Sequence, residues 1–301
     1  MDAAGGSLSA AAGILSGMAK REVFAGREAL VAGRLTRSEL ARWYQPLFRG
    51  VYMPRDSTVT LWDRAKAAWL ATGRQAVVTG IAASGLYGAN WVDPDTTIEL
   101  ISPRHTRPQP GLVVRQESLS PDEITTVAGI PVVVRARAAF DLGRHLRRGE
   151  AAARMDALMR NGVFSGEDVL VLAKRYPRAR GLKQLVDLLP LVDGGAASPQ
   201  ETRLRLLYTD AGLPRPTTQV PVLEGWEAVR ILDLGWEEYR VGSEYDGDVH
   251  RTNRRAYVKD LRLRPKVESL GWSVDHVIKE DRDDEIIKRA TQLLRSRGWT
   301  P

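Results

Sequence analysis

The chain has no cysteine among its 301 residues. Disulfides and thiolate metal sites are thereby excluded, which fits a reducing compartment, and a cytoplasmic location is expected. Long apolar runs are missing too: nothing approaches the roughly 20 residues a membrane-spanning helix needs, so no membrane partner is expected. The N-terminus, MDAAGGSLSAAAGILSGMAKR, meets its first positive charge only at Lys20. It lacks the basic start of a signal peptide, and residues 1–20 read as a loose or weakly helical tail. The glycines between Gly80 and Gly88 form no phosphate-binding fingerprint and read as packing and turn residues. There are no internal repeats.

What is present is ordinary in bulk and uneven in detail. A hydrophobic content of 43% with 27% charged residues fits a globular chain, and the length suits about two domains. The formal net charge of +7 permits nucleic acid as a partner without demanding it. Residues 1–150 hold 19 basic and 14 acidic residues, whereas residues 198–301 hold 18 of each. Within that neutral last third, Arg251 to Lys266 carries seven basic residues against one acid, Asp260. Immediately before it, RILDLGWEEYRVGSEYDGDVHR places Asp233, Glu244, Asp246 and Asp248 in a predicted hairpin. Carboxylates are disfavoured in strands and costly to bury alone, so a metal ion or basic side chains should neutralise them.

The hairpin can be laid out by period two. A turn at Glu237–Glu238 would set Trp236 against Tyr239 and Asp233 against Gly242, with Gly242, Glu244 and Asp246 on the face of Asp233. Asp233 and Glu244 would be diagonal neighbours with Cα atoms about 7–8 Å apart, close enough to bend onto one ion. Gly242 would leave room for a ligand. Asp233, Glu244 and Asp246 are therefore the expected ligands of Mg2+ or Mn2+, hard cations that take oxygen donors. A solvated basic helix that merely balances the acidic hairpin is the competing reading.

Upstream, residues 21–56 read as a winged helix-turn-helix. VFAGREALVAGRL gives one helix, TRSELARWY a second that opens with a Thr36–Glu39 capping box, and PLFRGVYMP a wing turning at Gly50. Arg37 and Arg42 would be exposed, Leu40 and Trp43 inward, and Arg49 at the wing tip, placing basic groups on DNA. Residues 57–149 read as a small α/β domain, with a helix at 60–71, a strand and small-residue helix at 75–91, and strands at 96–103, 111–119 and 129–146, the last running into a helix. Residues 150–197 read as a helical connector with a Ser165–Asp168 cap, ending in a short flexible boundary, DGGAAS, at 193–198.

LTRSELARWYQPLFRGVYMP, VVTGIAASGLYG and GIPVVVRARAAFDLGRHL together resemble AbiEi-type antitoxins of type IV toxin–antitoxin systems. SPQETRLRLLYTDAGLPRPTTQ, ILDLGW, EYDGDVHR, KDLRLR and LGWSVDHV occur in the order found in very-short-patch-repair-like endonuclease domains of the PD-(D/E)XK superfamily, which residues 198–301 resemble. The resemblances imply an α/β (α+β) chain: a winged helix with a small α/β domain, the connector, and a restriction-endonuclease-like domain with a mixed sheet. They imply DNA as partner, a cognate toxin protein as a second one, and metal-dependent phosphodiester cleavage. Glu201 is carried over as the acid of the first helix, although SPQE is also a capping box, and both roles stand open. Where the superfamily pattern ends in lysine, this chain has Asp246, so His250 or Lys259 would supply proton handling or positive charge. Arg251, Arg254, Arg255 and Arg262 would bind nucleic acid beside that site. Two alternatives accompany this reading: a transcriptional repressor whose nuclease fold is retired, and a toxin-binding interaction module.

Overall fold

The structure is a computed structural model that describes residues 22–162, 164–247 and 263–301. The chain divides into two compact units, one ending at Asp141 and the other starting at Leu142. Among the described residues no helix is long and apolar enough to cross a membrane. The architecture is mixed α+β with three sheets.

The first unit opens with β1 (Phe24–Ala25), α1 (Gly26–Val31), α2 (Arg37–Trp43), β2 (Tyr44–Phe48) and β3 (Val51–Pro54). The predicted capping box forms: Thr36 Oγ1 accepts from the Glu39 N–H at 3.2 Å, and Glu39 Oε2 accepts from the Thr36 N–H at 2.7 Å. The strands order β1-β3-β2, all antiparallel, and Gly50 completes the β2–β3 turn at φ +74°. Leu40 is buried as expected, but Trp43 is 57% exposed. The helix stops at Trp43 and Tyr44 is already extended, so the apolar stripe has no further turn to join. The indole instead lies under the Arg42 guanidinium, 4.8 Å from the ring centre.

Next come α3 (Leu61–Ala71), β4 (Val77–Thr79), α4 (Gly80–Leu86), β5 (Ile98–Ile101), β6 (Leu112–Arg115), β7 (Ile124–Val127), β8 (Ile130–Val133) and α5 (Arg135–His145). The strands form a mixed sheet in the order β6-β5-β4-β8-β7. Val77, Val78, Ile98, Leu100, Val132 and Val133 are all buried; continuous apolar strands of this kind suit a covered sheet rather than a half-wet one. The buried Arg137 guanidinium bonds Glu123 at 2.5 Å and Asp141 at 3.1 Å, so a charge in the core is neutralised from two sides.

The second unit contains α6 (Arg148–Arg160), α7 (Gly166–Arg175), α8 (Leu182–Leu188), α9 (Pro199–Asp210), β9 (Thr217–Glu224), β10 (Glu227–Trp236), β11 (Val241–Tyr245), helical residues 263–269, β12 (Ser273–Val277) and α10 (Asp283–Ser296). The sheet runs β12-β11-β10-β9, with β11–β12 parallel and the other pairs antiparallel. Leu204 and Tyr208 of α9 and Ile286, Ala290 and Leu294 of α10 pack with Leu234, Trp236, Val241 and Val277. Val220, Val222 and Leu232 pack with Val267 and Trp272 in a second cluster. β9 has a strand neighbour on one side only among the described residues, and it contains Pro221, which pairs with Ile231.

Residues 193–198, expected to be a flexible boundary, are tied down. Asp156 of α6 accepts the Asp193 N–H at 2.7 Å, Thr202 Oγ1 at 2.8 Å and Arg205 Nη2 at 2.6 Å. Arg160 donates to the Gly195 carbonyl at 2.6 Å, and Ala196 is buried. A buried carboxylate collects every donor within reach, here including a backbone N–H of this segment, and holds it against α6 and α9.

Candidate functional site

The β10–β11 connection sets the site, and its register differs from the expected one. Glu237-Glu238 lacks the glycine or asparagine that a two-residue turn requires. The chain instead makes a 3-10 turn over Glu237–Tyr239 and closes it at Arg240, with φ +51°. The pairs become Trp236↔Val241, Gly235↔Gly242 and Leu234↔Ser243. A shift of two residues preserves which face each side chain takes. It also removes the expected space: a Cβ on Gly242 would stand 2.5 Å from Leu232 Cδ1, so Gly242 serves packing and not a ligand.

The regular β10–β11 pairing ends at Leu234↔Ser243, and Leu232, which packs against Gly242, joins a different core cluster from Leu234, so the alternation of faces breaks at Asp233. Continuing the β9–β10 register sets Gln219 beside Asp233, and Gln219 holds φ +53°. The ladder is thus irregular on the β9 side of Asp233. The Asp233 carboxylate accepts the Tyr245 N–H at 2.9 Å. Burial, with Glu201 and Glu244 adding like charge, pushes its pKa up to about 7, against the opposing pull of the Tyr245 N–H and Arg230.

Glu201 lies in the first turn of α9, buried at the edge of this cluster. Ser198 Oγ accepts the Glu201 N–H at 3.2 Å, as the capping reading predicts. The Glu201 carboxylate accepts from the Ala197 N–H at 2.7 Å, one residue before the cap, and from Gln219 Nε2 at 3.1 Å. It caps and it also presents charge to Asp233. Of the roles left open by the sequence, the capping one forms in part, since the carboxylate takes the Ala197 N–H rather than the Ser198 N–H that a full capping box uses.

Glu244 is 4% exposed and is gripped at both oxygens by Arg230, at 2.7 and 2.6 Å. Its neighbour on β12 is His276, whose Nδ1 lies 3.6 Å from Glu244 Oε2 and 3.4 Å from Asp246 Oδ2. Arg264 reaches Asp246 at 3.3 Å. Basic and acidic groups therefore alternate: Arg230, Glu244, His276, Asp246, Arg264. The structure brings Glu201, Asp233 and Glu244 together, while Asp246 belongs to the His276–Arg264 end. Among the described residues, Glu201, Asp233 and Glu244 do not bring one oxygen each within 4.8 Å of the other two.

Asp248, His250, Arg251, Arg254, Arg255, Lys259 and Arg262 lie outside the described residues. In the first unit, Arg37, Arg42 and Arg49 are all exposed, Arg49 in the turn after β2. Nothing in the sequence alone singles out Arg230, His276 and Gln219 as partners of these acids. Period two does place Arg230 with Leu232 one strand-step before the acid, and SVDHV reads as a strand. The signal that His276 meets Glu244, however, lies in a parallel pairing that local sequence does not encode.

No family model matches the chain, and no solved structure matches it. Two uncharacterized proteins of Mycobacterium tuberculosis, one from strain CDC 1551 / Oshkosh and one from strain ATCC 25618 / H37Rv, are each 28% identical over 255 residues. The match covers 84% of this chain and 90% of each relative. A match of that length includes residues of both units.

Proposed function

We propose that the second unit is a metal-dependent phosphodiesterase domain acting on DNA, and that the basic helix and hairpin of the first unit hold the DNA. In this reading residues 21–56 are a winged helix-turn-helix and residues 198–301 a very-short-patch-repair-like nuclease domain working in the cytoplasm. The observation that carries it is Asp233, half-buried beside Glu201 and Glu244 with its pKa raised to about 7. Arg230 neutralises Glu244, but Asp233 and Glu201 stay close together with no basic side chain bonded to either among the described residues, and a cation would relieve that repulsion. The donors are all carboxylate oxygens, which suit magnesium or manganese. Asp233 would hold the ion with Glu244 and Glu201 beside it. A bound ion of this kind supplies polarisation of an attacking water and neutralisation of charge on the phosphate. His276 lies with Nδ1 3.4 Å from both the Asp246 carboxylate and an Arg264 guanidinium nitrogen, where it can take or pass a proton, and Arg264 presents positive charge beside Asp246, the position where the superfamily pattern would have its lysine.

A second reading rests on Arg230. Its two-point grip on Glu244 is the arrangement an internal cation would take if the fold were retired from catalysis and only bound DNA. The two separate on melting temperature and cleavage. Manganese or magnesium raises the melting temperature of the wild type, by an amount set by ion concentration over its dissociation constant. Asp233→Asn melts no lower without metal, gains little from it, and does not nick plasmid. Identical metal responses in both proteins would reject the phosphodiesterase and leave the retired fold.

A further inference from the structure

The β5–β6 connection, residues 102–111, reads SPRHTRPQPG and contains no acidic residue. It is tied at both ends. The Ser102 N–H donates to the Arg115 carbonyl at 3.0 Å, and Ser102 Oγ accepts the Arg104 N–H at 3.2 Å. At the far end Pro110 and Gly111 form a turn closed by the Leu112 N–H on the Gln109 carbonyl at 3.3 Å, with Gly111 at φ +71°, a conformation that calls for glycine. That turn aims Gln109 at the β2–β3 turn, where its Oε1 accepts the Arg49 N–H at 2.8 Å. Loop and hairpin tip are thereby one joined surface.

Arg49, Arg104, His105 and Arg107 are all exposed on it. None of these four side chains has a hydrogen bond or ion pair among the described residues. Three prolines fix backbone angles along the loop, so little freedom remains to be lost when a ligand arrives. A guanidinium presents paired N–H donors that match phosphate oxygens. Between 102 and 111 there is no exposed large apolar side chain, whereas a protein partner would need an apolar centre to its interface.

We propose that this loop is a second arm of a nucleic-acid clamp, in which Arg104 and Arg107 take backbone phosphates beside the one met by Arg49, and Gln109 is the positioning residue that joins the arms. The inference deepens the DNA-binding half of the proposed function and rests on it. The assay is binding of the full chain to a short mixed-sequence duplex, in EDTA, across several salt concentrations. R104Q/R107Q lowers the slope of log affinity against log salt by about 2, one for each lost phosphate contact. Q109A removes no charge yet weakens binding. R104Q/R107Q changes exposed side chains only, and Q109A removes one side-chain hydrogen bond between loop and hairpin, with the melting temperature of each variant checked first.

An R104Q/R107Q protein with wild-type affinity and slope overturns the clamp, as does charge-dependent binding to phosphatidylserine vesicles without binding to the duplex. Q109A binding as wild type removes Gln109 from it. Cleavage with manganese is scored separately. Duplex binding with the expected slopes but no cleavage would uphold the clamp and reject the phosphodiesterase. Cleavage that survives R104Q/R107Q at unchanged affinity would do the reverse.

Discussion

Asp233 is the residue on which pH should act. Its carboxyl is held at about 7 in the folded chain against an ordinary value of 3.8. Between those values the folded state keeps a proton that the unfolded state has lost. Stability therefore falls as pH rises from about 4 to about 7 and levels off above, a contribution of up to about 4 kcal/mol before any relaxation. Urea unfolding of wild type and Asp233→Asn at pH 5 and pH 8 checks this: the wild type should lose more between the two. Equal losses would mean that water reaches Asp233 freely. Arg230→Gln tests the neighbouring pair. Glu244 would stay buried with its two-point partner gone, which costs about 3 kcal/mol, the low end for a broken buried pair because Arg230 is partly exposed. If a cation belongs at this site, the variant should also gain more from manganese than the wild type does; an unchanged gain favours the retired fold.

At the scale of elements, the second unit depends on joints that local sequence conceals. Asp156→Ala would strand the buried Arg205 and release the Asp193 N–H together, loosening α6, α9 and the segment between them. A loss of about 3–5 kcal/mol is expected, read as a lower urea midpoint with metal absent. A loss below 1 kcal/mol would show that the segment is held by packing alone. The same residues show what could be read in advance. Helices opened by Thr36, Ser165 and Ser198 are legible because a cap is a contract between residues three apart, and the strands at Val77, Ile98 and Ile130 because short runs rich in valine and isoleucine have few alternatives. The hairpin length is not legible, since Glu237-Glu238 says only that a turn exists and not how long it is. Trp43 was misplaced because periodicity continues past a helix end that backbone geometry has already closed. In the site, the acids were visible as unusual residues in strands. Their partners Arg230, Gln219 and His276 were not, since each is brought in by pairing between strands.

For the whole molecule, two units with separate cores imply two cooperative steps on heating, provided the steps differ enough in stability to be seen. Calorimetry of wild type and Asp156→Ala should assign them: the variant moves one transition, and manganese moves the same one. Metal shifting the other step would place the cation site in the first unit. A last consequence concerns copies of the protein meeting one another. Among the described residues β9 is the last strand of the second sheet, and a strand paired on one side invites a neighbour's backbone to extend it, the first step toward fibres. Pro221 withholds a donor in the middle of that strand, so an incoming chain finds its ladder broken at the point where pairing should spread. One residue without an N–H thus guards the molecule against its own kind, and Pro221→Val would be expected to keep the fold while shortening the time a concentrated solution stays clear.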